Sequence, residues 1–223
     1  MSVAETLSKV PLFAHLTEEE VGRIAQVTRA KTYPQNSIIV FENDPGDAMY
    51  VVDRGQVKVV LTGEDGREVI LSVLADGDFF GEMALIDDLP RSAHVIAMES
   101  SKLIVLYRDD FRRCLEETPR IALGMLQALS RRLRRADDKI GGLVLLDVPG
   151  RIARLLIELA DQGDGTTISR RITHQTMGQM VGSSRETVSR TLRDLVDRGL
   201  IRVSRKTIEI RDRSGLETAA GLR

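Results

Sequence analysis

The sequence predicts an α+β protein: a roll of short β-strands, then one long helix, then a small helical domain closed by a two-stranded wing. Three observations predict it. Short β-rich runs broken by turn signals fill Ser37 to Leu106, and apolar residues recur at alternating spacings of four and three from Ala122 to Leu143. Two helical patterns joined by a tight glycine turn, and then a hairpin pattern, occupy residues 173–210.

The chain opens with a capping box, Thr17 with Glu20 three residues later, which starts a short helix carrying Val21, Ile24 and Ala25 on one side. The runs "SIIVF", "AMYVVD", "QVKVVLT", "EVILSVL", "AHVIAM" and "KLIVLY" follow, separated by "DPGD", "DRG", "EDGRE" and "ADGD". Regular short strands with glycine turns argue for a β-sandwich or barrel-like roll. Thr118-Pro119 then starts a helix that runs to about Leu146. Its apolar residues form a heptad seam, with Leu126, Leu133 and Ile140 at a and Ala122, Leu129, Ala136 and Leu143 at d. Such a seam closes on a second copy of the helix or packs against its own domain. In the same frame Arg132 falls at g and Asp137 at e, which allows an ion pair between two such helices. "LDVPGR" breaks the helix, with Asp147 as N-cap of the next one and Pro149 just inside it. The expected parts are residues 1–118, a dimerisation helix over 119–146, and residues 147–223.

The bulk numbers bound the class. The chain has 223 residues, 42% hydrophobic and 29% charged, as in ordinary soluble proteins. No basic leader precedes a long apolar core, and runs such as "IIVF" and "LVLL" are too short to span a bilayer, so a cytoplasmic protein with no membrane partner is expected. Cys114 is the single cysteine, which leaves no disulfide framework and no thiolate metal site. The net charge of −1 hides an asymmetry: residues 148–223 carry 14 Lys+Arg against 9 Asp+Glu, and residues 1–147 carry 18 against 24. A basic C-terminal part suits a polyanion-binding module, or a solvated surface. His15, His94 and His174 are scattered, and no catalytic motif or metal-ligand spacing appears, so neither an enzyme nor a metal site is expected.

In "THQTMGQMVGSSRETVSRTLRDLVD", Met177 and Val181 face inward on the first helix and Val188, Leu192 and Leu195 on the second. Gly178 allows close approach, and Gly182 takes the positive φ of the turn. This is the pattern of a helix-turn-helix, whose second helix enters the major groove of double-stranded DNA by its N-terminus. Arg185, Glu186, Ser189 and Arg190 are left exposed there, where arginine can make a bidentate contact to guanine and glutamate can accept from cytosine. Thr173, Gln175 and Ser184 are placed for phosphate contacts that set register. "GLIRV", "SRK" and "TIEIR" read as a wing with Arg205 and Lys206 at its tip, completing a winged helix-turn-helix.

"FGEMALIDDLPRSA", residues 80–93, combines different chemistry. Gly81 lets a ligand approach backbone N–H groups, Arg91 supplies positive charge and Ser92 a hydroxyl donor, and Glu82 suits a ribose hydroxyl. An anion clamp beside a hydroxyl acceptor describes a nucleotide. The alternative is an Arg91–Glu82 ion pair that closes the roll.

"PLFAHLTEEEVGRIA", "GDFFGEMAL", "RSA", "LDVPGRIARLLIELA" and "VGSSRETVSRTL" together resemble the CRP/FNR superfamily of transcription regulators, of the cyclic-AMP receptor type, over nearly the whole chain. The resemblance implies a cyclic-nucleotide-binding-type β-roll, a homodimer, and reading of TGTGA-type half-sites by Arg185, Glu186 and Arg190. Many members of that superfamily activate transcription by touching RNA polymerase. It also implies a cyclic-nucleotide phosphate on Arg91 and Ser92 and the ribose on Glu82. Met83 stands in the same turn, and Val59, Leu71 and Leu74 line the apolar wall. The superfamily's adenine-reading position has Thr and Ser in cyclic-AMP binders, whereas this chain has Ala136 and Asp137. A carboxylate there accepts the N6 amine of adenine or both N1–H and N2–H of guanine. The implied effector is therefore cyclic AMP or a guanine-based cyclic nucleotide such as cyclic di-GMP. The alternatives are a ligand-independent regulator with a vestigial pocket, and a nucleotide-binding regulatory subunit without DNA binding.

Overall fold

The protein is described by a computed structural model over residues 2–168, 172–205 and 207–222. Capping boxes start both N-terminal helices, Ser2 with Glu5 for α1 (Val3–Ser8) and Thr17 with Glu20 for α2 (Glu18–Val27). The strands that follow are β1 (Arg29–Tyr33), β2 (Ile38–Val40), β3 (Ala48–Arg54), β4 (Val57–Thr62), β5 (Glu68–Leu74) and β6 (Phe79–Phe80). The short helix α3 (Met83–Ile86) then leads to β7 (His94–Ala97) and β8 (Ser101–Tyr107). They form two antiparallel four-stranded sheets, in the orders β1-β8-β3-β6 and β2-β7-β4-β5.

The continuous apolar runs in β3 and β8 have a physical cause: both strands are buried on two faces. Met49, Val51, Ile104 and Leu106 point to the helices, whereas Tyr50, Val52, Leu103 and Val105 face the second sheet. Below the roll lie α4 (Arg108–Glu117), which carries half-buried Cys114, and the 26-residue α5 (Arg120–Leu145). Ile121, Met125 and Ala128 bury one stripe of α5 in the helical core, and a Cβ at Gly124 would come within 2.4 Å of the Leu12 carbonyl oxygen. The adjacent stripe is open: Leu126 and Leu133 are each 64% exposed.

The chain separates into two compact units inside α5, after Leu133. In the second unit Asp147 caps α6 (Val148–Asp161), with Pro149 in its first turn. Then come β9 (Thr167–Ile168), α7 (His174–Val181), α8 (Arg185–Asp197), β10 (Ile201–Val203), β11 (Ile208–Ile210) and α9 (Arg213–Ala219). The strands form one sheet in the order β10-β11-β9, and the helices share a core that includes Ile152, Leu156, Met177, Val188, Leu192, Leu195 and Leu216.

Candidate functional site

The roll gathers Gly81, Glu82 and Arg91 at one place, but does not pair Arg91 with Glu82. Arg91 is 5% exposed. Its Nη1 donates to the Gly81 carbonyl and its Nη2 to the Ala48 carbonyl, each at 2.7 Å, and Asp47 Oδ1 lies 3.5 Å from Nη2. The guanidinium also stands 6.0 Å from the ring of Tyr50, which stacks on Phe80 at 5.0 Å. Gly81 has φ +82°, and a Cβ there would come within 2.6 Å of Arg91 Nη1. The freedom of this glycine therefore also admits the Arg91 guanidinium.

Glu82 is 1% exposed and makes no bond to Arg91. Arg132 of α5 reaches it instead, donating Nη1 to Oε1 at 2.5 Å. The same guanidinium donates to the Phe79 carbonyl and lies 4.5 Å from the Phe79 ring. The Arg91–Glu82 pair weighed from the sequence is thus replaced by Arg132–Glu82. Arg132 is thereby engaged with a carboxylate of its own chain. Glu82 Oε2 is buried without a hydrogen-bond partner among the described residues. Burial raises the pKa of this carboxyl, with Arg132, its own backbone N–H and Arg91 pulling the other way.

The segment carrying Arg91 and Ser92 is fixed from outside. Asp88, at φ +56°, accepts from Arg108 and from Arg112, the latter at 3.1 Å. Asn43 N–H donates to the Arg91 carbonyl and Arg91 N–H to the Asp44 carbonyl, both at 2.9 Å. Ser92 and Met83 are exposed. Of the predicted apolar wall, Leu74 is buried and Val59 half-buried, whereas Leu71 is the extra residue of a β-bulge opposite Val59–Val60 and is exposed. Ala136 and Asp137 belong to the second unit and stand exposed on α5. Arg132 was missed as a site residue, because a separation of 50 positions from Glu82 leaves no periodic signal.

In the second unit the local rules produce the expected motif. Thr173 caps α7 by accepting from Thr176 N–H at 3.0 Å, and Ser184 caps α8 by accepting from Thr187 N–H at 3.1 Å. Between them Gly182 ends α7 in the left-handed region, φ 67° and ψ 47°, and its N–H donates to Gly178 O. A Cβ at Gly178 would come within 2.6 Å of the Ser183 carbonyl oxygen, so this glycine makes room for the turn. Val188, Leu192 and Leu195 are buried, which leaves Arg185, Glu186 and Arg190 exposed and Ser189 half-exposed on the first two turns. Hydrogen bonds from its own backbone N–H and from Ser184 hold the Glu186 carboxyl below the usual range, so it remains an acceptor. Gln175 is exposed, Thr173 and Ser184 present hydroxyls already engaged in capping, and Arg205 is exposed beside β10. Lys206 lies outside the described residues.

Both halves match known families: residues 30–118 the cyclic nucleotide-binding domain, and residues 150–219 the Crp-like helix-turn-helix domain. The cyclic AMP receptor protein of Thermus thermophilus is 36% identical over 210 residues, 94% of this chain and 96% of that protein. The CRP-like cAMP-activated global transcriptional regulator of Mycobacterium tuberculosis is 30% identical over 97% of this chain and 99% of its own length. Among solved structures, the c-di-GMP responsive global regulator CLP of Xanthomonas campestris superposes with a TM-score of 0.76 at 26% identity, covering 87% of this chain and 99% of that one. Roll and recognition helix each match their own domain family, and the likeness to whole regulators runs through both, so the chain belongs to the CRP/FNR family of DNA-binding transcription regulators.

Proposed function

We propose that the protein is a cytoplasmic homodimer that binds TGTGA-type palindromes and whose DNA affinity is controlled by a cyclic nucleotide held in the β-roll. The observation that carries effector control is Glu82 Oε2, a buried acceptor with no partner among the described residues. An unsatisfied buried acceptor costs free energy, and a ribose hydroxyl is a donor of the right kind to relieve it. In this reading Gly81, Met83, Arg91 and Ser92 hold the ligand's phosphate end, and Val59, Leu71 and Leu74 its apolar face. The base-reading role is assigned to Ala136 and Asp137 by the family resemblance alone. Two relatives are named for cyclic AMP and one solved structure for c-di-GMP. The acceptor-only Asp137 favours guanine, so both nucleotide classes are kept. The exposed stripe of α5, Leu126, Leu133, Ile140 and Leu143, supports dimerisation, which presents two recognition helices to two half-sites. Arg185, Glu186, Ser189 and Arg190 read bases, Thr173, Gln175, Ser184 and Lys206 contact phosphates, and RNA polymerase is the further partner.

A second reading, a ligand-independent regulator, is favoured by one observation: Arg91 and Glu82 already have partners within the chain. One experiment separates the two. Calorimetric titration of the protein with cyclic AMP, cyclic GMP and cyclic di-GMP, repeated on Arg91→Leu, is followed by fluorescence anisotropy on a TGTGA palindrome with and without each ligand. Binding that Arg91→Leu abolishes, together with a shift in DNA affinity, supports the effector reading. Specific DNA binding that no nucleotide alters supports the other.

A further inference from the structure

The charges around Arg91 bear on which phosphate the pocket accepts. Arg132 is spent on Glu82 at 2.5 Å, and Arg108 on the carbonyls of Gly46 and Ala84 and on Asp88. Glu82 presents its unpartnered oxygen, which repels a phosphate and welcomes a hydroxyl. Arg91, by contrast, donates Nη1 and Nη2 to neutral carbonyls, those of Gly81 and Ala48, so its charge is not spent on a full ion pair there. Asp47, 75% exposed, places a carboxylate oxygen 3.5 Å from Arg91 Nη2. The guanidinium an incoming phosphate needs is therefore already partly neutralised by a carboxylate at the same nitrogen.

We propose that Asp47 is a specificity-determining residue that limits the pocket to one negative charge per phosphate, admitting a cyclic phosphodiester and rejecting a terminal phosphate. The inference rests on the nucleotide reading of the site. A cyclic nucleotide brings one negative charge, whereas a terminal phosphate brings about −1.5 to −2 at neutral pH. The repulsion from Asp47 scales with that charge, so removing it helps the more highly charged ligand more.

Calorimetric titration of the full chain and of Asp47→Asn with cyclic AMP, 5′-AMP, cyclic GMP and 5′-GMP tests this. Because Asp47 is exposed and screened, the expected gains are modest: about threefold tighter for the cyclic ligands and about tenfold for the linear ones at low salt. The cyclic-to-linear affinity ratio then falls by about threefold, and the change shrinks in about 0.5 M salt. The sign separates this role from a structural one, because a disturbed loop would weaken every ligand. Weaker binding by Asp47→Asn, or an unchanged ratio while the wild type binds, overturns the assignment of Asp47 and leaves the pocket standing. If the wild type binds none of the four, the mononucleotide form of that reading fails and the proposal falls with it.

Discussion

Glu82 buries a carboxylate to 1% exposure with one oxygen on Arg132 and the other without a partner, and burial raises its pKa above the ordinary 4.5. The folded chain therefore holds this proton more tightly than the unfolded chain does. Its stabilising contribution is complete below about pH 4.5 and is lost as pH rises through the folded-state pKa. Denaturant titrations from about pH 4 to 8 should show wild-type stability falling relative to Glu82→Gln as pH increases; the opposite slope would mean that Arg132 outweighs burial. At the other end of the chain, Arg185 and Arg190 are exposed on a helix whose opposite face is packed, so their removal should disturb reading rather than folding. Arg185→Ala and Arg190→Ala should each cost about 1–3 kcal/mol per half-site and relax preference at one base pair, measured by anisotropy on single-base variants of the site. Equal losses on random DNA would count against base contacts.

At the scale of the element, α5 carries two apolar stripes, and the heptad pattern identified the one that its own domain leaves open. Ile121, Met125 and Ala128 pack inward, Leu129 is half-buried at their edge, and Leu126 and Leu133 face outward. The stripes make opposite predictions. Leu126→Glu with Leu133→Glu should yield folded monomers, whereas Met125→Ala should keep the assembly state and cost about 2–5 kcal/mol of stability. Light scattering beside thermal melts checks both, and a doubly charged variant that stays dimeric would remove the seam from the interface. The same contrast explains what was legible in the sequence. The strands β3 and β8, buried on two faces, appear as unbroken apolar runs, and α7 and α8 announce themselves by caps, glycines and inward spacing. By contrast β1, "RAKTY", is exposed at four of its five positions and is held in the sheet by backbone pairing to β8, so no pattern betrays it. The two-residue strands β6 and β9 are too short to carry one. Around Arg91 the residue types were readable, but their partners were not. Gly81, Glu82 and Arg91 stand close together in sequence, yet Arg132 comes from 50 positions away and Asp47 from a different loop.

For the whole molecule, the consequence of Arg132 lies in where it is anchored. Its guanidinium holds the buried Glu82 carboxylate, and its backbone belongs to α5, the unbroken helix of 26 residues that runs from the first compact unit into the second. A ligand can shift a regulator between two arrangements only by binding one of them better. If a nucleotide hydroxyl on Glu82 Oε2 strengthens the grip of Oε1 on Arg132, binding is felt by α5 and through it by the unit that reads DNA. Linkage then requires reciprocity: the factor by which the nucleotide changes DNA affinity equals the factor by which DNA changes nucleotide affinity, commonly about 5–150-fold. Arg132→Gln keeps a hydrogen-bond donor near Glu82 but removes the charge and the forked reach of the guanidinium. It should lower nucleotide affinity and also bring the ratio of DNA affinities with and without nucleotide close to one, while leaving DNA affinity without nucleotide near that of the wild type. Anisotropy titrations at saturating nucleotide measure that ratio, and titrating nucleotide into the DNA complex measures its reciprocal. A variant that binds nucleotide weakly yet shows the full wild-type ratio at saturation would place Arg132 in ligand binding and take it out of the coupling between the two units.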